Sequence, residues 1–563
     1  MRVADYIAKF LKRKKIKDIF MLTGYGAMYL NDAIKLNNIK YYATRNEATA
    51  PIMAAAYARL NKNVGVACVT AGPGATNAIP GLAEAFVDSS PIIVFSGQVE
   101  LSHTTFNTNL NNIRTFGTAE INILPIVKPL TKYCEIIKRP NDTKYILEKA
   151  FYYANEGRPG PVWIDIPLDV QNKTIIKSSL KKFIIPKKRI NANRINVSIK
   201  KLVNYLHKSN KPIFFVGNGV KQSNTSKIID TISSKLNIPI FTSRLANDLY
   251  PHNKKNIFGL AGIKGSRFCR NIMNEADLVI SFGCRLSPQL IGHKFDEIKK
   301  AKVISIDVEK DELIKKGCKI DFAINADLKN IIPKLENVLF KKSSLDKRKF
   351  KKWIDHCIFL ENKNPMINKS YRVNPIDLYY FMHKIDKISN SNHILVTDAG
   401  SNYYAGGQVW HYNSGQKEVT SGTNAAMGLT IPLSIGSSIA KPNKQILAVT
   451  GDGSLELNIQ ELKTISHYNL NIKLFVINNG GYVSMHKWQD KIAGRRLDTP
   501  KDTGDGTLNL KNIAKAFELR YYKIKDFKNI EKDLKLLTSN KQPYFVEVMT
   551  DNKQKIFNAI IDN

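Results

Sequence analysis

The chain lacks most of what would announce a membrane, secreted or metal-clustered protein. Its apolar runs, such as that at 92–95, are far shorter than the roughly 20 residues that cross a bilayer. The N-terminal stretch MRVADYIAKFLKRKKIKDIF alternates apolar and basic residues at helical spacing. It has no continuous apolar core or small-residue cleavage site, so no secretory signal is read there and a cytoplasmic location is expected. Six cysteines (68, 134, 269, 284, 318, 357) form no CxxC pair and no metal-ligand rhythm, which predicts scattered reduced thiols. Acidic residues are scarce: 48 against 85 Lys and Arg, for a net charge of +37. The basic residues are dispersed rather than gathered on one motif, so a solvated surface that steers anionic substrates is expected, with no specific nucleic-acid partner.

What remains is a globular composition, 43% hydrophobic over 563 residues, long enough for three domains. Strand–helix alternation predicts an α/β block at 1–170, a linker at 171–196, a second α/β block at 197–340, a linker at 341–374 and a third block at 375–563. Strands are expected in the second block at 212–216, 239–242, 278–282 and 303–306.

The densest chemical signal is GDGSLELNIQELKTISHYNLNIKLFVINN (451–479). It predicts a βαβ unit: a strand at 445–450, an amphipathic helix at about 455–468 and a strand at 472–477. A right-handed crossover makes the two strands parallel. Asp452 and Asn479 then sit at strand carboxyl ends, where open α/β sheets bind ligands. One carboxylate and one carboxamide oxygen suit Mg²⁺, which completes its octahedron with phosphate and water. Glycines 451, 453, 480 and 481 let a diphosphate approach the backbone, and the helix start after Gly453 adds positive dipole. The segment resembles the diphosphate- and Mg²⁺-binding motif of thiamine diphosphate (ThDP) enzymes. The resemblance implies metal ligation by Asp452, Asn479 and Gly481, and cofactor contact at Gly451, Gly453, Ser454, Asn479 and Gly481.

Upstream, YYATRNEATAPIMAAAYARL (41–60) puts Glu47 between a short strand and an alanine-rich helix. A glutamate at a helix start is also an ordinary dipole-satisfying residue. Two further segments follow: VACVTAGPGATNAIPGLAEAFVDSSPIIVFSGQ (66–98), with Thr70, Pro73 and Gly74 in its turn, and EGRPGPVWIDIPLDVQ (156–171). In this order they resemble the acetohydroxyacid synthase (acetolactate synthase) branch of the ThDP enzymes, over nearly the whole chain.

That resemblance implies three doubly wound parallel-sheet domains: pyrimidine-binding, central and diphosphate-binding. It implies that Glu47 hydrogen-bonds N1′ of the aminopyrimidine and favours its 4′-imino tautomer. Met427, in GTNAAMGLTIPLSIG (422–436), matches the apolar residue that bends the cofactor, and Gly26, in TGYGAM (23–28), the flexible loop over the reaction centre. Trp488 matches a residue that contacts the second 2-ketoacid, with Gln489 beside it. The central PIFFVGNGV, FGLAGIKG, ISFGCRL and ISIDV segments resemble an FAD-binding domain, with Gly217 and Gly219 against the phosphates, Arg285 at the diphosphate and Asp307 at the adenosine half. Flavin-free relatives keep a similar domain. Because the two cofactor halves lie on different subunits in this family, a homodimer or homotetramer is expected, with a regulatory subunit as a further partner.

The chain departs from the family pattern at several points. Ser484, Met485 and His486 replace the usual surroundings of Trp488, and Asn46 replaces a histidine before Glu47. Thr118 and Ala119 stand where Phe and Gln would be, which implies a larger, less polar pocket. The expected function is a ThDP- and Mg²⁺-dependent carboligase. It decarboxylates pyruvate and passes the hydroxyethyl unit to a second 2-ketoacid, as in branched-chain amino acid biosynthesis. The alternative acceptor is a keto-sugar nucleotide of surface-polysaccharide synthesis. A 2-ketoacid decarboxylase ranks third, and a non-catalytic homologue is disfavoured because Glu47, Asp452 and Asn479 are all retained.

Overall fold

Short runs of Val, Ile and Phe bounded by glycine and polar turns become three parallel sheets of six strands each. The computed structural model describes residues 1–110, 112–187, 191–292, 298–342, 345–367, 369–496, 508–554 and 556–557. The first sheet holds β1 (Asp18–Met21), β2 (Lys40–Ala43), β3 (Gly65–Val69), β4 (Ile92–Gln98), β5 (Tyr133–Ile136) and β6 (Val162–Pro167). The central sheet holds β7 (Pro212–Val216), β8 (Ile240–Thr242), β9 (Ile257–Leu260), β10 (Leu278–Phe282), β11 (Lys302–Asp307) and β12 (Phe322–Asn325). The third holds β13 (His393–Thr397), β14 (Lys417–Thr420), β15 (Gln445–Gly451), β16 (Ile472–Asn478), β17 (Arg520–Ile524) and β18 (Tyr544–Met549). Interior strands such as β4, β7 and β10 are buried along their whole length, whereas the edge strands β2 and β12 expose residues, as helices on both faces require.

The strand orders are β2-β1-β3-β4-β6-β5, β12-β11-β10-β7-β8-β9 and β14-β13-β15-β16-β18-β17. The first and third sheets therefore repeat one order. The central sheet has the doubly wound order of dinucleotide-binding folds, which reverses between β7 and β10. β9 and β12 have no counterpart in the sequence reading, because FGLAG and DFAIN offer too few apolar residues to stand out.

The βαβ unit at 445–478 forms, but its helix is not continuous. Helical turns at Asp452–Glu456 and Leu462–His467 flank a 3₁₀ turn at Ile459–Glu461. Asn458 leaves helical geometry with φ −140° and donates its side-chain amide to Gly428 O at 2.8 Å, so a tertiary bond outweighs helix continuity. The 341–374 stretch contains a helix, Lys351–Lys363, that buries Trp353, Ile354 and Cys357 against the central sheet. The 171–196 stretch ends inside the helix Ala192–Lys208.

One apolar core runs through the first and third sheets. Its centre is the pair of helices Thr49–Asn61 and Thr430–Ala440, built from Ala, Ser and Gly so that their backbones approach closely. A side chain at Gly436 would meet the Met53 carbonyl directly. All six cysteines are free, four of them buried. Among the described residues, no helix is long and apolar enough to cross a membrane.

Candidate active site

Parallel register brings the acid and the asparagine of the third sheet together. β15 and β16 pair Gly451 with Ile477, so Asp452 and Asn479 leave the sheet side by side. Asp452 Oδ2 accepts the N–H groups of Asn479, Gly480 and Gly481 at 3.2, 2.9 and 3.1 Å, and Oδ1 that of Gly453 at 3.0 Å. Burial pushes this carboxyl up, and the backbone donors pull it back. The Asn479 carboxamide has no hydrogen-bond partner among the described residues. The Gly481 carbonyl accepts from Val483 N–H at 2.8 Å. A Cβ built on Gly451 or Gly480 would meet nothing within 4 Å, so open space lies beside the carboxylate. This donor set and cradle fit a Mg²⁺–diphosphate group. Among the described residues there is no cluster of three His, Cys, Asp or Glu side chains for a metal, so one carboxylate, neutral oxygens and phosphate would supply the ligands.

Ser454 serves the framework rather than an open site. Its hydroxyl donates to buried Asp398 at 2.5 Å and accepts from Gly428 N–H at 2.8 Å, fixing the turn after Met427. Met427 itself is 42% exposed, as is Trp488 at 46% on the helix Val483–Ala493. Ser484, Met485, His486 and Gln489 share that helix, and the Lys491 ammonium lies 5.9 Å from the Trp488 ring centroid.

The first sheet builds a second cluster. Glu47 follows β2, and its Oε2 accepts from Asn77 Nδ2 at 2.8 Å; Asn77 also donates to Asn46 Oδ1 at 3.1 Å. Gly74 lies beside Glu47, since a Cβ there would stand 3.5 Å from Oε1. Pro73 starts the short helix that carries Gly74 and Asn77. Thr70 Oγ1 accepts from Gly26 N–H at 3.1 Å, and Gly26 O accepts from Gln171 Nε2 at 2.6 Å. Gly26 is thus buried and tied at both backbone groups, not a free flap. Thr118 and Ala119 are exposed, and the Ala119 carbonyl abuts Gly72 of the GPG turn.

Two contributors carried no local signal. Glu461, in the third domain, accepts from Arg45 N–H at 2.7 Å and Thr49 Oγ1 at 2.8 Å, and so braces the segment that carries Glu47. Gln98 donates to Ile121 O at 2.9 Å and to buried Asp165 at 3.3 Å, anchoring the segment after Ala119. Desolvation raises Asp165 to about 7. Asn77, by contrast, was within reach of the sequence reading, one turn beyond the GPG motif.

The expected flavin residues do converge. Gly217, Gly219, Arg285 and Asp307 line a cavity of about 300 Å³, which also borders Arg158 of the first domain and Tyr403 of the third. That volume is at the lower end for small-molecule sites. The two glycines are needed for loop packing: side chains there would run into Gly283 and Cys284. Their N–H groups already donate to Phe282 O and Gly283 O, so they shape the crevice rather than offer donors to a phosphate. The Arg285 guanidinium has no ion-pair partner among the described residues. Asp307, raised by burial, accepts from Glu309 N–H at 2.9 Å. The buried Nε of Arg244, another lining residue, also has no partner among the described residues. The strand order, the Arg285 guanidinium and the Asp307 carboxylate fit a dinucleotide.

Comparison with known proteins gives matches in all three domains. "Thiamine pyrophosphate enzyme, N-terminal TPP binding domain" matches residues 1–118, the corresponding central domain 199–335, and the C-terminal TPP binding domain 398–548. The chain is 30% identical to the probable acetolactate synthase large subunit of Methanococcus aeolicus, over 98% of this chain and 92% of that one. It is 29% identical to the acetolactate synthase large subunit of Lactococcus lactis, over 99% and 94%. Against acetolactate synthase 1, chloroplastic, of Nicotiana tabacum the identity is 26%, over 99% and 83%. With likeness running through every domain and along almost the whole length of such relatives, the chain belongs to the ThDP-dependent enzymes, in their acetolactate synthase large-subunit-like branch.

Proposed function

We propose that the chain is a Mg²⁺-dependent carboligase that decarboxylates pyruvate and passes the two-carbon unit to a second 2-ketoacid, as in branched-chain amino acid biosynthesis. The observation that carries this reading is the Asp452 carboxylate gathered with Asn479–Gly481 beside open glycine backbone. Asp452, Asn479 and the Gly481 carbonyl would hold Mg²⁺, and Gly451 and Gly480 leave room for the diphosphate. When bound, ThDP supplies the carbanion chemistry that pyruvate itself lacks. Glu47 holds or releases a proton at its carboxyl, which Asn77 orients by donating to Oε2. Met427 and Trp488 offer apolar surface that excludes water and selects the acceptor.

Among the described residues, no hydrogen bond or ion pair joins Glu47, Asn77 or Gly26 to Asp452, Asn479 or Met427. Both halves expose large apolar side chains: Tyr25 at 74% and Phe116 at 55% in the first domain, Met485 at 46% and Ile492 at 78% in the third. A second copy would cover them and bring the Glu47 of one chain to the Asp452 of the other, so a homodimer is the expected working unit, in the cytoplasm, with FAD in the central cavity. A regulatory subunit is a further expected partner.

The exposed, small-sided turn at Thr118 and Ala119 favours a second reading, with a bulkier keto-sugar nucleotide as acceptor. Product analysis separates the two. Pyruvate alone, and pyruvate with 2-ketobutyrate, should give acetohydroxyacids and CO₂. Slow turnover on these, with rapid pyruvate consumption once a keto-sugar nucleotide is added, would establish the second reading instead.

A further inference from the structure

The central cavity is chemically lopsided. It lies across the point where the central strand order reverses, the place where such sheets bind dinucleotides. Over β10, β11 and β12 its lining mixes the acids Asp307, Glu312 and Asp327 with the cations Arg285 and Lys329; over β7, β8 and β9 it is lined by Arg244 and Lys264 and by no carboxylate. The carboxylate end suits the hydroxyl and amino donors of an adenosine. The cationic end suits a group rich in carbonyl acceptors.

The two cations there are not equivalent. Arg244 is paired with buried Glu418 at 2.5 Å. Lys264 has no carboxylate or hydrogen-bond acceptor among the described residues; its ammonium lies 4.1 Å from the Tyr404 ring centroid and 5.2 Å from that of Tyr403. Burial, then the neighbouring Arg244, brings it down to about 8. Its loop is held firmly. Gly262 has φ +91° where a side chain would strike the backbone of 289–290, Ile263 N–H donates to Gln289 O at 3.0 Å, and Gly265 N–H donates to Gly262 O at 2.8 Å. A rigidly presented ammonium without an anion, facing a cavity, leaves part of its charge for the ligand.

We propose, on the flavin reading above, that Lys264 faces the isoalloxazine half of a bound FAD and stabilises negative charge on that ring, rather than holding the diphosphate. Two electrons and one proton convert the oxidised ring to an anionic reduced ring, so a cation beside it favours the reduced form. A cation close to the charge that forms on reduction makes an effect of at least tenfold accessible.

The test is a reductive titration of the FAD-loaded enzyme at pH 7, where Lys264 is charged, in wild type, Lys264→Met and Lys264→Arg, with ADP affinity measured alongside. Lys264→Met should shift the reduction equilibrium at least tenfold toward the oxidised ring, about 30 mV for a two-electron couple. Lys264→Arg should restore most of this shift, and ADP affinity should be unchanged in both. An unchanged potential, or a loss of ADP affinity in Lys264→Met, would show that the lysine meets the phosphates or nothing, and would overturn the assignment. A wild type that binds ADP but not FAD overturns the flavin reading itself, and this assignment with it.

Discussion

In the first sheet the chain leaves β3 through Thr70-Ala71-Gly72-Pro73-Gly74; in the third it leaves the equivalent strand β15 through Thr450-Gly451-Asp452-Gly453. Likewise β2 leads through Glu47 into the helix Thr49–Asn61, and the equivalent β14 leads through Met427 into the helix Thr430–Ala440. One scaffold therefore presents two turns at matching places, with the chemistry inverted. The first sheet has a neutral turn beside an acid, Glu47, held by one amide donor. The third has its acid inside the turn, held by four backbone N–H groups, beside an apolar Met427. In the proposed function the wrapped carboxylate serves as the metal anchor and the one with a single side-chain partner as the acid–base group. Topology decides where a group is displayed, and the residue and its partners decide what it does.

The most demanding check on this contrast is Glu47→Gln. Turnover should fall by about 10²–10⁴, the usual cost of losing a positioned acid–base group, while ThDP and Mg²⁺ remain bound. Proton exchange at C2 of bound ThDP, followed by NMR, reads the step directly; wild-type exchange in the mutant would remove Glu47 from this role. Asp452→Ala should do the reverse. Hydrogen bonds to charged groups contribute about 1.5–3 kcal/mol each, so losing the metal carboxylate and the clasp on 479–481 should cost at least about tenfold in ThDP affinity. Excess Mg²⁺ should restore only part of it. Calorimetry showing equal affinity would end the distinction between anchor and acid.

A smaller effect is expected at the acceptor. Trp488→Leu should shift the ratio of 2-ketobutyrate to pyruvate products by about 10-fold, within the 1–3 kcal/mol that a methylene is worth in an apolar pocket. Pyruvate decarboxylation should be nearly unaffected; a parallel loss of both would place Trp488 in the donor half. Smallest is the seam between the two matching helices. Gly436→Ala, which forces a methyl group onto the Met53 carbonyl, should destabilise the fold by about 1–3 kcal/mol and lower the thermal midpoint. Gly451→Ala meets nothing within 4 Å and should leave the midpoint of the cofactor-free protein unchanged while weakening ThDP binding. Equal midpoints for both would mean that the seam yields more readily than its geometry implies.

Much of this was legible from local pattern. Asp452 and Asn479 are read from one βαβ unit because parallel pairing fixes both strand ends by arithmetic, and their observed pairing follows from that. Glu47 alone is an ordinary acid at a helix start, and it stands out only through the order of the segments at 66–98 and 156–171 that follow it. The four flavin candidates, Gly217, Gly219, Arg285 and Asp307, fall on one cavity because each lies at or within three residues of the carboxyl end of a strand of one sheet. Less legible were the roles of residues whose partners are distant in sequence. Ser454 reads as part of a diphosphate turn, yet its hydroxyl is committed to Asp398, 56 positions away. Gly26 reads as a mobile loop, yet Gln171, 145 positions away, holds its carbonyl.

The sequence by itself determined the fold class, the family and the strand ends where chemistry is displayed, because these depend on periodicity, turn residues and parallel connections that are local to each segment. The tertiary structure alone decided which polar groups remain free to act. Glu461 braces the Glu47 segment across 416 positions, and Arg244 is matched by Glu418 across 174. Lys264 is left without an anion by the same packing. Whether a buried charge is satisfied depends on every element packed around it, and no single stretch of sequence carries that sum.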